Sequence, residues 1–233
     1  MSVEYYILYT IMIAPLKIRG VSATVISRLR ELIISGELQP GQKVSETLLA
    51  SELGVSRQPL REAFRVLEQE YLLKNIPRKA TLITELSIQD FREVYQARQM
   101  IETFSVDLIR EEGIEDFSFM ENAIEAEKEL LTKYIGDDIN SKLSYLRQFA
   151  DFHLRLVETA GNSRFIHFYN IISSNLARYQ FLHIFGKGRA AGTMQEHEDI
   201  FLSLKKKQYE KTKKLLRHHI DMVFESIKKN LVF

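Results

Sequence analysis

Leu53-Gly54-Val55-Ser56-Arg57-Gln58-Pro59-Leu60-Arg61-Glu62-Ala63 is the stretch on which the reading of this chain turns. Gly54 follows a short amphipathic run at 46–53, and glycine just past a helix is the usual left-handed stop. Two residues on, Ser56 is a favoured N-cap type, and Pro59 is tolerated because it falls in the first helical turn. The spacing predicts helix, three-residue glycine turn, helix, which is a helix-turn-helix. At about 100° per residue, Leu60, Ala63, Phe64 and Leu67 share one face of the second helix. Arg57, Gln58, Arg61 and Arg65 share the opposite face. Arginine bonds guanine edges bidentately and also phosphates, and glutamine can read adenine. A solvated charged face is the ordinary explanation for one such helix. Here the turn, the arginine register and the local charge agree on DNA.

Working outward, a helix over 22–35 precedes this pair and stops at Gly36, Pro40-Gly41 makes a turn, and Ser45 is placed to cap the helix at 46–53. Downstream, Leu72-Leu73-Lys74 and Thr81-Leu82-Ile83 read as two short strands around Asn75–Ala80. That is a wing, with Arg78 and Lys79 at its tip. The charge supports the assignment: residues 17–80 hold eleven Lys/Arg against seven Glu and no Asp, whereas the whole chain is only +1. A basic N-terminal module on a mildly acidic body points to a polyanionic partner for the first part alone.

Three units follow: an apolar extension at 1–16, a winged helix-turn-helix at 17–85 and an all-helical body at 86–233. The break falls near Thr84–Ser87, where Ser87 with Asp90 three residues on reads as an N-cap. The body has no proline, and its glycines at 113, 136, 161 and 186–192 divide it into about six helices, at 87–111, 115–134, 138–159, 163–184, 193–207 and 209–230. The expected class is mainly α, an antiparallel bundle behind a winged domain. Residues 1–16 carry one charge, Glu4, so they lack the basic start of a secretory signal and are too short to span a bilayer. They read as an arm packed on the body or as an over-extended start with Met12 as the true one. A cytoplasmic protein with no membrane partner is expected.

The chain has no cysteine, so zinc ribbons and thiol catalysis are excluded, and any metal site must use His, Asp or Glu. On helical wheels His153 lies among Leu146, Phe149, Leu156 and Val157. His197 lies among Thr193, Ile200, Phe201 and Leu204, and His219 among Leu215, Leu216 and Val223, while His218 points outside. One inward imidazole is usually a hydrogen-bonded core residue. Three on separate helices can converge in a bundle core, where such sites are commonly built. Nitrogen and oxygen ligation would suit Zn²⁺ or Ni²⁺.

At this point the chain resembles a family. Ile33-Ile34-Ser35-Gly36-Glu37-Leu38-Gln39-Pro40-Gly41, followed by Leu53 to Ala63, is similar to the GntR superfamily of regulators over about 21–83. The resemblance implies that Ser56, Arg57 and Arg61 contact operator DNA. Glu93-Val94-Tyr95-Gln96-Ala97-Arg98 with Glu102, Phe152-His153, Ala160-Gly161-Asn162, Glu196-His197 and His219-Ile220 resemble the ligand-sensing FCD domain of the FadR subfamily over about 87–230. His153, His197 and His219 match that domain's metal ligands, and Arg98 matches a position facing its cavity. Glu102, one turn on, joins it as an effector-site candidate, and Arg155 and Arg178 are further cations that could meet a carboxylate or form salt bridges instead. The resemblance implies a homodimer and an organic, sugar or acyl acid as effector.

Three departures stand out. Glycine usually follows the recognition helix, where this chain has Tyr71, and usually sits at the wing tip, where it has Lys79. The fourth metal ligand is usually Asp or Asn one turn before the first His, where this chain has Phe149. Asp151 projects about 160° away from His153 on the wheel and is a poor substitute. Either three histidines hold an ion with water or effector completing the shell, or the site is weakened or lost. An effector-responsive regulator, not an enzyme, is the leading expectation. A three-His hydrolase or lyase centre, and a DNA-binding protein with a vestigial sensor, are the alternatives.

Overall fold

A computed structural model describes residues 20–132, 138–184 and 189–230. The apolar extension at 1–16 and the glycines at 136, 186 and 188 lie outside them. Among the described residues the order is α1 (Val21–Ile34), β1 (Lys43–Val44), α2 (Glu46–Glu52), α3 (Arg57–Gln69), β2 (Leu73–Ile76) and β3 (Ala80–Ile83). Then follow α4 (Ile88–Glu111), α5 (Ser118–Thr132), α6 (Ile139–Thr159), α7 (Ser163–Ile184), α8 (Arg189–Lys205) and α9 (Tyr209–Asn230). The result is a winged helix-turn-helix followed by six long helices, the mainly α class expected.

The first module packs around residues spaced as the wheel requires. Val25, Leu29 and Ile33 of α1 meet Leu49 and Ala50 of α2 and Leu60, Ala63, Phe64 and Leu67 of α3. Leu60, Ala63 and Leu67 have no exposed surface. Gly54 takes φ +66°, and its own and Val55's N–H close back on α2 as the left-handed stop predicts. Ser45 and Ser56 occupy extended N-cap positions, but neither hydroxyl makes a capping bond, contrary to expectation.

The wing strands are longer than predicted, and β3 also pairs with β1, giving a sheet of order β1-β3-β2. A two-residue strand such as β1 has no alternation to detect, so it was invisible in sequence. The hairpin closes through Lys79 N–H to the Ile76 carbonyl at 3.0 Å. Pro77 and Arg78 form the corner, and Arg78 has φ +62°. Proline followed by a left-handed residue is the type II pattern, so the strained position is Arg78, one residue before Lys79.

The body starts as predicted, with Ser87 Oγ accepting from Asp90 N–H at 3.0 Å. Helix α5 begins at Ser118 rather than 115, because Asp116 turns the chain by accepting from Ser118 N–H. Helix α8 begins at Arg189, so Gly192 lies inside it rather than before it. Two apolar clusters hold the bundle: Val106, Met120, Phe152, Leu156, Ile200 and Leu216 in one, Phe91, Tyr95, Val157, Tyr179 and Ile220 in the other. The buried histidines come from α6, α8 and α9.

Candidate nucleic-acid interface and buried histidine site

The exposed side of α3 carries Ser56 at its start, then Arg57, Gln58, Arg61 and Arg65, all open to solvent. Arg61 has only a distant ionic neighbour, Glu46, at 3.6 Å. The helix N-terminus adds unpaired amide groups, which attract phosphate oxygens. Arg78 and Lys79 are exposed at the wing tip. These seven residues are the predicted DNA contacts, and the fold exposes all of them.

Behind α3 the helix ends on a residue that sequence alone marked as odd. Tyr71 has φ +59°, with its N–H bonded to the Glu68 carbonyl at 3.0 Å and the next N–H, from Leu72, to the Leu67 carbonyl at 2.8 Å. That is a Schellman closure. Tyrosine has adopted the left-handed position that glycine usually holds.

In the body, His153, His197 and His219 come together with their ligand atoms within 4.8 Å of one another. His153 Nε2 lies 3.1 Å from His197 Nε2. Every Nδ1 is held from behind by a carboxylate: Glu102 at 2.8 Å for His153, Glu127 at 2.9 Å for His197 and Glu196 at 2.7 Å for His219. Carboxylates in that position fix ring orientation and leave the other nitrogen free to ligate. Burial pulls His153 down to about 3, with Arg98 adding to the effect, and it also lowers His197 and His219. Neutral imidazoles are the form a metal needs. Burial pushes the Glu127 carboxyl up to about 9. Burial alone would raise Glu102 too, but His153 and Arg98 reverse it and hold it well below the ordinary carboxylate range. His153 is itself neutral, so Arg98 supplies the lasting positive charge.

The donor set fits an ion with three nitrogens and one open position. Phe149, at the position where the resemblance implies a fourth ligand, is buried, stacks on Tyr145 at 4.5 Å and stands 5.8 Å from the His197 ring. Asp151 is engaged by Arg155.

The four effector-site candidates separate. Arg98 and Glu102 are both fully buried and joined at 2.7 Å through Arg98 Nε. Glu102 also accepts from the Tyr169 hydroxyl at 3.0 Å, so its oxygens are occupied as a bridge between His153, Arg98 and Tyr169. Nη1 and Nη2 of Arg98 have no hydrogen-bond partner, nor does the Tyr95 hydroxyl beside it. Arg155 pairs with Asp151 and Glu158 along its own helix. Arg178 is buried at the domain junction and donates through Nη2 to the Thr84 carbonyl at 2.6 Å. Sequence reasoning missed Glu127, although a carboxylate in step with Met120, Ala123 and Ile124 on the buried face of α5 was the available signal.

Comparison with known proteins agrees with this architecture. The model for "Bacterial regulatory proteins, gntR family" matches residues 21–83, and that for the FCD domain matches 93–222. An uncharacterised HTH-type transcriptional regulator of Bacillus subtilis, YdhC, is 30% identical over 203 residues, covering 87% of this chain and 88% of that protein. The transcriptional repressor GlaR of Escherichia coli is 27% identical over 66% of this chain and 70% of its own length. A GntR transcriptional regulator from Rhodococcus sp. RHA1 shares the fold with TM-score 0.72 at 19% identity, over 89% of this chain and 97% of that one. Winged module, helical body and matched domains together show that the chain belongs to the GntR family of transcriptional regulators, among those that carry an FCD domain.

Proposed function

We propose that this regulator binds a two-fold operator through Ser56, Arg57, Gln58, Arg61 and Arg65, with Arg78 and Lys79 in the adjacent groove. A small organic, sugar or acyl acid in the body controls that binding. The observation that carries the effector reading is Arg98. A fully buried guanidinium with two nitrogens lacking partners is costly, and a carboxylate would satisfy both bidentately. Zn²⁺ or Ni²⁺ held by His153, His197 and His219 would supply a second positive centre for an anion. Homodimerisation suits a half-site reader, and the contiguous apolar face of Met100, Phe104, Phe165 and Phe168 on α4 and α7 supports it. No described helix is long and apolar enough to cross a membrane, and a DNA partner supports a cytoplasmic location. The repressor roles of relatives such as GlaR favour repression.

The test is a thermal-shift screen of small carboxylic acids on wild type and Arg98→Met. At least one acid raises the wild-type melting temperature, and the shift disappears in Arg98→Met. Equal shifts in both proteins would remove Arg98 from the site. Phe149 favours one further reading, a metal-free sensor in which Arg98 alone takes the anion. Elemental analysis separates the two: wild type retains metal, and His197→Ala loses it.

A further inference from the structure

Helix α7 touches the histidine site at one level and the recognition helix at another. Tyr169 donates to Glu102 Oε1, and Glu102 is bonded in turn to His153 and Arg98. Five residues along, or about 7.5 Å of helix, Ser174 Oγ donates to Glu70 Oε2 at 3.0 Å, and at the next residue Asn175 Nδ2 donates to the Glu70 carbonyl. Glu70 is the C-cap of α3. Its carboxylate also takes two bonds from Arg30 of α1, at 2.6 and 3.0 Å. One turn further, Arg178 holds the Thr84 carbonyl, and Tyr179 donates to Asp90 at 2.6 Å. Tyr169, Ser174, Asn175, Arg178 and Tyr179 are all buried, so these bonds are shielded from competing water.

We infer that α7 is the positioning element linking the ligand site to DNA, with Tyr169 sensing Glu102 and Ser174 and Asn175 steering the end of the recognition helix through Glu70. The ligand arm of this inference rests on the metal reading given above. A helix gripped at both ends moves as a rod, so a change in the Tyr169–Glu102 bond becomes a change at Glu70.

The test is hydrogen exchange on the full chain, in peptides covering 66–73. In ligand-free protein, Tyr169→Phe speeds exchange there by about threefold or more, while cores of α8 and α9 are unchanged. Asn175→Ala does the same, and the double variant adds little beyond the larger single effect. Ile124→Val, which loosens the body away from α7, produces no local change at 66–73. If Tyr169→Phe leaves 66–73 at the wild-type rate, or its effect adds fully to that of Asn175→Ala, the relay is wrong. Should Tyr169→Phe not fold, Asn175→Ala must alter exchange at 98–105, because coupling is reciprocal; no change there overturns the inference. In a second arm, Zn²⁺ is added to chelator-stripped protein. Wild type slows at 66–73, whereas Tyr169→Phe takes up the same Zn²⁺ without that response. Zn²⁺ uptake by wild type with no response at 66–73 also overturns the relay. No uptake at all sinks the metal reading instead, and the ligand-free arm still decides α7.

Discussion

Tyr71 shows how one residue can be wrong for its position and still be accommodated. Its φ of +59° costs a side-chain-bearing residue about 1–2 kcal/mol, and its ring is two-thirds exposed, so little packing offsets this. Replacing it with glycine removes the strain, although the unfolded chain then has more freedom to lose. Tyr71→Gly is expected to stabilise the protein by about 1 kcal/mol, measured by urea denaturation. A loss of stability would mean that the tyrosine ring makes a contact worth more than the strain. At the same scale, helical spacing alone did not separate Arg98 from Arg155. Glu102 one turn from Arg98, and Asp151 and Glu158 around Arg155, offered each a salt bridge. Burial distinguishes them: Arg155 spreads its charge over its own helix surface, while Arg98 is sealed in with two unused nitrogens.

At the scale of the element, α3 has two faces with separable jobs. The inner face is held by Leu60, Ala63 and Leu67, and the outer is exposed to solvent, with Arg61 3.6 Å from Glu46. Arg57→Ala and Arg61→Ala should therefore leave stability within about 0.5 kcal/mol of wild type, as surface changes do. Each should weaken operator binding by about 1–3 kcal/mol where the contact is to a base edge. The measurement is a salt titration of binding to DNA selected from a random pool. A phosphate contact shows instead as a reduced salt slope with uniform loss across sequences. Unchanged affinity in both variants would put the interface elsewhere. Both faces of α3 were legible from the order of residues, because helical period alone assigns them.

For the whole molecule, the question is what ties α6, α8 and α9 together. Their imidazoles meet as neutral groups in a buried cluster, backed by Glu102, Glu127 and Glu196. An ion there would cross-link three helices and stabilise the folded state by mass action. Chelator-treated protein should melt several degrees lower than protein saturated with Zn²⁺, and His219→Ala should abolish the difference. Identical melting with and without Zn²⁺ would show that the cluster is a hydrogen-bonded core network only. The contacts of α1 and α3 with α7, through Arg30, Glu70, Ser174 and Asn175, belong to this scale too. Nothing in the order of residues pairs position 70 with positions 174 and 175, since their separation exceeds any local period.

Local rules determined much of this protein. Glycine stops, proline in a first turn, an arginine register opposite an apolar stripe and three inward histidines were readable because each depends on neighbours within about two turns. The exposed arginine face of Ser56 to Arg65 and the six-helix body follow from them. Tertiary structure decided the rest. It turned Glu102 from an effector candidate into a bridge and recruited Glu127 and Glu196 behind the histidines. It also sent Arg178 to the linker and joined the recognition helix to α7. These outcomes depend on which helices lie side by side. A carboxylate becomes a bridge or a surface charge according to what packs against it, and helical period does not specify that neighbour.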